Sequence, residues 1–226
     1  MRDAKPSIPD RINRFGSNRQ DVTDCMHLTN KGRNVLRGLK QRWGTGEMKR
    51  SLWNKEFAAG RWANLENTAG DVIYQYLLKY CKNGSLLDLG CGSGNTGCEL
   101  SESAYHDYTG VDISDVAIEI ARKRSNASGR ERKNRYHHGD ITTYTPDRTY
   151  DVILFRESIP YIPKMAIRHQ LERYARYLKE NGVFIIRWYH QAQGQALLSG
   201  AMSEYKVLEH RPEGGEPFIV VMQPCK

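Results

Sequence analysis

The sequence predicts an α/β protein built on a doubly wound, mostly parallel sheet, and three observations carry that reading. From residue 67 onward, short apolar runs alternate with stretches whose apolar residues recur at helical spacing. The first run ends in a glycine-rich turn, Leu86-Leu87-Asp88-Leu89-Gly90-Cys91-Gly92-Ser93-Gly94-Asn95, the sequence form of a buried strand feeding a ligand-cradling loop. The last two runs have no room for a helix between them and read as an antiparallel hairpin.

The elements follow in order. Val72, Ile73, Tyr76, Leu77 and Tyr80 mark a helix within 67–80, and Lys82-Asn83-Gly84 breaks it before the first strand at 85–90. A helix is expected from Gly94 to about Tyr105, then a second strand ending at Asp112. Ser114 is placed to cap the next helix, which carries Val116, Ala117, Ile120 and Ala121 on one face. The third strand ends near Asp140, and the fourth, 151–155, follows so soon that the helix between them must be short or absent. Pro163 starts a helix with Ile167, Leu171, Tyr174 and Leu178 at helical spacing, and Asn181-Gly182 stops it. Strand five is 183–189, and the hairpin pairs 205–208 with 218–221.

Composition narrows the class. A chain of 226 residues with 39% hydrophobic content can bury a substantial core. No apolar run approaches the roughly 18 residues a spanning helix needs, and Met1-Arg2-Asp3-Ala4-Lys5-Pro6 has no apolar stretch behind it to act as a secretory signal. The five cysteines are odd in number and lack C-x-x-C pairing, so neither a disulfide framework nor a metal site is indicated, and a cytoplasmic location is expected. Of the net charge of +8, residues 1–50 hold twelve Lys or Arg against five Asp or Glu. That basic extension suits a solvated terminus or a polyanion-binding arm. A second basic cluster, Arg122 to Arg135, is expected to be a solubilising loop at the amino ends of the strands.

The spacing after the glycines specifies the ligand further. Asp112 closes a strand-like run about 20 residues on, where a doubly wound sheet places a carboxylate for ribose hydroxyls. Asp140 closes the next run in the same way. The dinucleotide fingerprint wants a glycine three residues after Gly92, and Asn95 stands there, so an adenosine ligand other than a dinucleotide is favoured.

Asp88 to Gly94, followed by Asp112 and Asp140, resembles class I S-adenosylmethionine-dependent methyltransferases, over roughly residues 67–226. The resemblance implies a Rossmann-like seven-stranded sheet with helices on both faces and S-adenosyl-L-methionine as cofactor. It implies that the loop of Gly90, Cys91, Gly92 and Gly94 faces the methionine part of the cofactor, and Asp88 and Arg156 are counted among the cofactor-binding residues. Asp112 then takes the ribose and Asp140 the adenine amino group, with Ile113 and Ile141 sandwiching the ring. The residue types suit the tasks, since a carboxylate accepts two hydroxyl hydrogen bonds and branched apolar side chains cover a flat ring. The plainer alternative is that each acid caps the turn after its strand.

Two domains are expected, a basic cap at 1–66 and the catalytic core at 67–226. Trp53, Phe57 and Trp62 resemble the aromatic entry segment of small-molecule members of this family, placed to fold over the cofactor, with Arg61 free to pair with its carboxylate or an anionic acceptor. Core packing is the alternative for the tryptophans.

Acceptor chemistry is expected beyond strands four and five, at Arg156-Glu157-Ser158-Ile159-Pro160-Tyr161 and Trp188-Tyr189-His190-Gln191. An oxygen or protonated nitrogen acceptor must lose a proton, which makes Glu157 the first candidate base and His190 the second. Their structural alternatives are pairing of Glu157 with Arg156 or Arg187 and a strand-end role for His190. The Asn/Asp-Pro-Pro-aromatic signature of amino-methylating nucleic-acid enzymes is missing after strand four, as is a cysteine nucleophile for cytosine carbon. The run Glu157-Ser158-x-x-Tyr161 is similar to sugar-directed and nodulation-type members, so a small-molecule or saccharide acceptor is expected. A nucleic-acid or protein methyltransferase using the basic arm, and a non-catalytic adaptor that keeps the fold, are the alternatives.

Overall fold

The computed structural model describes residues 34–63, 67–189, 204–211 and 217–225, together with 32, 194 and 199. The segment Met1–Gly38 forms a unit of its own, of which only helical residues are described. His190 and most of the basic extension lie outside the described residues.

Seven strands make one sheet: β1 (Gly84–Leu89), β2 (Tyr105–Asp112), β3 (Asn134–His138), β4 (Tyr150–Arg156), β5 (Leu178–Trp188), β6 (Tyr205–His210) and β7 (Phe218–Pro224), in the spatial order β3-β2-β1-β4-β5-β7-β6. The first five pair in parallel, and β7 runs antiparallel between β5 and β6. This is the doubly wound, seven-stranded sheet with a closing hairpin. The sheet is accompanied by α1 (Gly46–Ala58), α2 (Ile73–Cys81), α3 (Asn95–Glu99), α4 (Asp115–Ala127) and α5 (Lys164–Ala175).

Alternation along the central strands builds two cores. Leu87, Ile153, Phe155 and Phe184 pack on one face with Ile167, Leu171 and Tyr174 of α5. Their neighbours Leu86, Val152, Leu154 and Ile185 pack on the other with Ile73 and Leu77 of α2 and Ile118 and Ala121 of α4. Because both faces are covered, the middles of β4 and β5 are continuous apolar runs, Val152–Phe155 and Val183–Ile186, as buried parallel strands require. Ser114 caps α4 as expected, its hydroxyl accepting from Ala117 N at 3.1 Å.

The structure departs from the sequence reading in three places. The helix after Gly94 stops at Glu99, because the Gly97 carbonyl is taken by Tyr105 Oη, Asn134 Nδ2 and Arg130 at 2.8–3.0 Å, and Arg130 also holds the Leu100 carbonyl. Strand β5 begins at Leu178, not Val183; residues 179–182 loop out of register there, with Gly182 too close to the Tyr150 carbonyl for a Cβ. The basic cluster staples the fold together. Arg122 donates to the Tyr136 carbonyl at 2.6 Å, Lys133 to that of Glu102 at 2.9 Å, and Arg135 pairs with Asp107.

Candidate active site

At the carboxyl end of β1 the chain turns sharply outward. Gly90 takes φ +83°, and a Cβ there would lie 2.4 Å from Cβ of Ser158, so the loop can pass under the β4 turn only as glycine. The Gly90 and Cys91 amides both donate to the Val111 carbonyl, at 2.8 and 3.0 Å. Next, Gly92 N donates to Asp112 Oδ2 at 2.9 Å and Ser114 N to Oδ1 at 2.8 Å. Burial raises the Asp112 carboxyl to about 6 against the pull of those two amides. Arg124 of α4 props the loop from behind by donating to the Ser93 carbonyl at 3.2 Å.

The loop floors a cavity of about 540 Å³, within the range of small-ligand sites. One end holds Asp112, Ile113, Asp140 and Ile141. Asp140 Oδ1 accepts from the backbone and hydroxyl of Thr142, at 2.8 and 2.7 Å, while Oδ2 faces Lys49 Nζ at 3.8 Å. The carboxylate therefore forms a turn and still presents one oxygen. Helix α1 is fastened above this end: Ser114 Oγ donates to Asn54 Oδ1 at 2.7 Å, and Arg50 and Asn54 both donate to Asp115 Oδ2. Trp53 of α1 meets Tyr161 edge-on at 4.9 Å and Trp62 at 5.8 Å, and all three line the cavity.

The opposite end is charged. Arg156 and Arg187 are register partners at the tips of β4 and β5; Arg156 donates to Asp71 Oδ2 at 2.8 Å, and Arg187 forms an ion pair with the same oxygen at 3.0 Å. Arg156 also reaches the Tyr74 and Thr96 hydroxyls, and Arg187 holds Glu157 Oε1. Glu157 has φ +59°, an uncommon conformation for a residue with a side chain and one that clusters at functional sites. Burial raises its carboxyl, with Arg187 opposing. Below it, Asp88 is almost wholly buried; its Oδ2 accepts from Tyr108 Oη at 2.8 Å and its Oδ1 has no hydrogen-bond partner among the described residues.

One cavity thus brings together most of the predicted residues, Asp88, Gly90, Cys91, Gly92, Asp112 and Asp140 on its floor and tips, Ile113, Ile141, Trp53 and Trp62 on its walls, and Arg156 and Glu157 at the charged end. Two are placed elsewhere. Gly94 is the cap residue of α3, where a Cβ would meet Ala121 at 2.8 Å, and it does not line the cavity. Arg61 is half exposed, pairs with Glu56 at 3.5 Å, and does not line the cavity. The sequence reading missed Gln41, Lys49 and Asp71 and treated Arg187 only as a partner for Glu157. Of these only the arginine carried a signal, a charge at the carboxyl end of an otherwise apolar strand.

Residues 86–182 match the family described as Methyltransferase domain. The chain is similar to 27-O-demethylrifamycin SV methyltransferase of Amycolatopsis mediterranei, 26% identical over 138 residues, covering 58% of this chain and 50% of the relative. It is similar to ribosomal protein L11 methyltransferase of Dictyoglomus turgidum, 28% identical over 154 residues, covering 67% and 48%. The chain therefore spans about half the length of the curated relatives it matches. Among solved structures, the N-methyltransferase NodS of Bradyrhizobium japonicum, in complex with S-adenosyl-L-homocysteine, shares the fold with a TM-score of 0.63 at 16% identity, over 78% of this chain and 98% of that one.

The sheet, the glycine loop and the matched domain define a nucleoside-binding α/β fold of the methyl-transfer type. Residues 86–182 are therefore similar to a methyltransferase domain, and the fold around them is the one seen in class I S-adenosylmethionine-dependent methyltransferases. The cofactor of that class is S-adenosyl-L-methionine, and the residues present fit it. The cavity joins the Asp112 and Asp140 carboxylates, which accept from hydroxyl and amino groups, to the glycine loop and to Asp88, whose buried Oδ1 has no partner among the described residues.

Proposed function

We propose that this protein transfers a methyl group from S-adenosyl-L-methionine to an oxygen or nitrogen of a small-molecule or saccharide acceptor. What supports the reading is that one cavity runs from the two acidic strand tips to a carboxylate and two guanidiniums, so a nucleoside donor and a small acceptor fit end to end. Bound there, that donor would supply an electrophilic methyl carbon to which the acceptor's lone pair would bond, the carbon–sulfur electron pair passing to sulfur, which would leave as a thioether.

The chain's own residues do the rest. Asp112 accepts the ribose hydroxyls and Asp140 Oδ2 the adenine amino group, with Lys49 beside it, while Ile113 and Ile141 cover the ring. Helix α1, latched through Asn54 and Arg50, closes the roof and excludes water, and the segment carrying Trp53 and Trp62 shapes the acceptor wall. Glu157 takes the acceptor's proton. Arg187 orients that carboxylate through Oε1.

A protein acceptor is the second reading, favoured by the 28% identity to the L11 methyltransferase. A radiolabelled methyl-donor assay against fractionated metabolites, saccharides, RNA and ribosomal protein separates the readings. Label in the small-molecule or saccharide fractions is the expected result, and label confined to protein or RNA overturns it.

A further inference from the structure

Three buried polar groups at the acceptor end of the cavity have no hydrogen-bond partner among the described residues: Gln41 Nε2, Ser158 Oγ and Arg187 Nε. Gln41 and Ser158 are only 7% and 6% exposed. A buried donor left unpaired costs about 1–3 kcal/mol, and folded proteins leave few of them, so three on one cavity wall point to a ligand that completes them.

The sign of the missing partner can be read. An amide nitrogen and a guanidinium Nε only donate. The accepting groups around them are engaged: Asp71 Oδ2 takes both guanidiniums, Asp71 Oδ1 takes the Ile73 amide at 3.1 Å, and Glu157 Oε1 takes Arg187. The Glu157 carboxylate is the group at this end that can receive one proton. A ligand that matches this wall brings several lone pairs and one acidic hydrogen. An ammonium, with N–H groups alone, would leave the two obligate donors, Gln41 Nε2 and Arg187 Nε, without a partner. The facing wall is aromatic, Trp53 set edge-on to Tyr161 with Trp62 behind, a surface that favours a planar ring in stacked or edge contact.

Resting on the methyl-transfer reading, we infer that the acceptor is an aromatic hydroxyl compound, a phenol or enol, whose oxygens are taken by Gln41, Ser158 and Arg187 and whose ring lies against Trp53 and Tyr161. Gln41 and Ser158 are then positioning residues.

The test uses the full chain saturated with S-adenosyl-L-homocysteine and a matched set of substituted phenols, anilines and methyl pyranosides, with binding read by saturation-transfer NMR. Phenols are expected to bind, and Gln41→Leu to weaken that binding at least tenfold with the S-adenosyl-L-homocysteine affinity unchanged. Ser158→Ala is the second variant should the first fail to fold, with a smaller loss in the same direction. Binding of anilines or pyranosides in place of phenols, binding of none of the set, or phenol binding indifferent to these variants overturns the inference. Failure to bind S-adenosyl-L-homocysteine at all refutes instead the methyl-transfer reading beneath it.

Discussion

The backbone N–H of Gly92 donates to Asp112 Oδ2 at 2.9 Å, so the acid at the tip of β2 fastens the glycine loop of β1 while facing the ligand cavity. Replacing it therefore removes two things at once. Asp112→Ala leaves the Gly92 and Ser114 amides without an acceptor and should lower stability by about 1–3 kcal/mol in the absence of any ligand. Asp112→Asn keeps one accepting oxygen and should fall between parent and alanine variant. Thermal melts of the three proteins check the order.

The same carboxyl should give opposite pH trends for the free and the loaded protein. Burial raises it from 3.8 to about 6, so the fold favours the protonated form. Its contribution to stability is full below pH 3.8 and is lost as pH rises through about 6. Ribose hydroxyls donate and prefer the carboxylate, so S-adenosyl-L-homocysteine affinity should rise over that window, with a proton released on binding near pH 6 and none at pH 8. Calorimetry in two buffers of different ionisation enthalpy measures the release, which Asp112→Asn should abolish. Proton uptake near pH 6 would contradict the ribose role.

Two glycines of one loop should respond differently to a methyl group. At Gly90 a Cβ lies 2.4 Å from Ser158 Cβ, whereas at Gly92 the nearest atom outside the loop is the Phe57 ring at 3.6 Å. Both have positive φ, which costs an alanine about 1–2 kcal/mol. Gly90→Ala adds overpacking of about 1–3 kcal/mol to that. The difference in chemical denaturation between the two variants reads the clash, and Ser158→Gly should recover it in the Gly90→Ala background and not in the Gly92→Ala background.

Glu157→Gln keeps the shape of the side chain and removes its capacity to take a proton. With an acceptor in hand, kcat should drop by about 10²–10⁴ while S-adenosyl-L-homocysteine affinity stays within twofold of the parent. The parent's rate should climb with pH along an acid limb displaced upward from the ordinary glutamate range, in keeping with the buried carboxyl. A variant with unchanged kcat removes Glu157 from proton transfer.

Much of this fold was legible because its signals are local. Leu86 to Gly94 declares a buried strand and its turn, Ser114 caps the helix behind Asp112, and Lys82-Asn83, both left-handed in the structure, stop α2 where the breaker stood. What escaped depends on distant partners. Helix α3 ends at Glu99 because Tyr105, Arg130 and Asn134 take the Gly97 carbonyl, and no pattern within 94–105 announces them. Asp71 reads as one more polar residue before a helix until β4 and β5 bring two arginines to it. Gln41 sits in the basic extension, where composition points to solvent, and its burial at the cavity follows from a neighbouring contact, Arg42 Nε on the Pro160 carbonyl at 3.0 Å.

The central claim is a nucleoside seat between the tips of β2 and β3, and calorimetric titration of the full chain with S-adenosyl-L-homocysteine tests it most directly. One equivalent should bind per chain, weakened roughly tenfold or more by Asp112→Ala, which is about 1.4 kcal/mol, and by Asp140→Ala in the same direction. No saturable binding, or binding that neither substitution alters, would contradict the account.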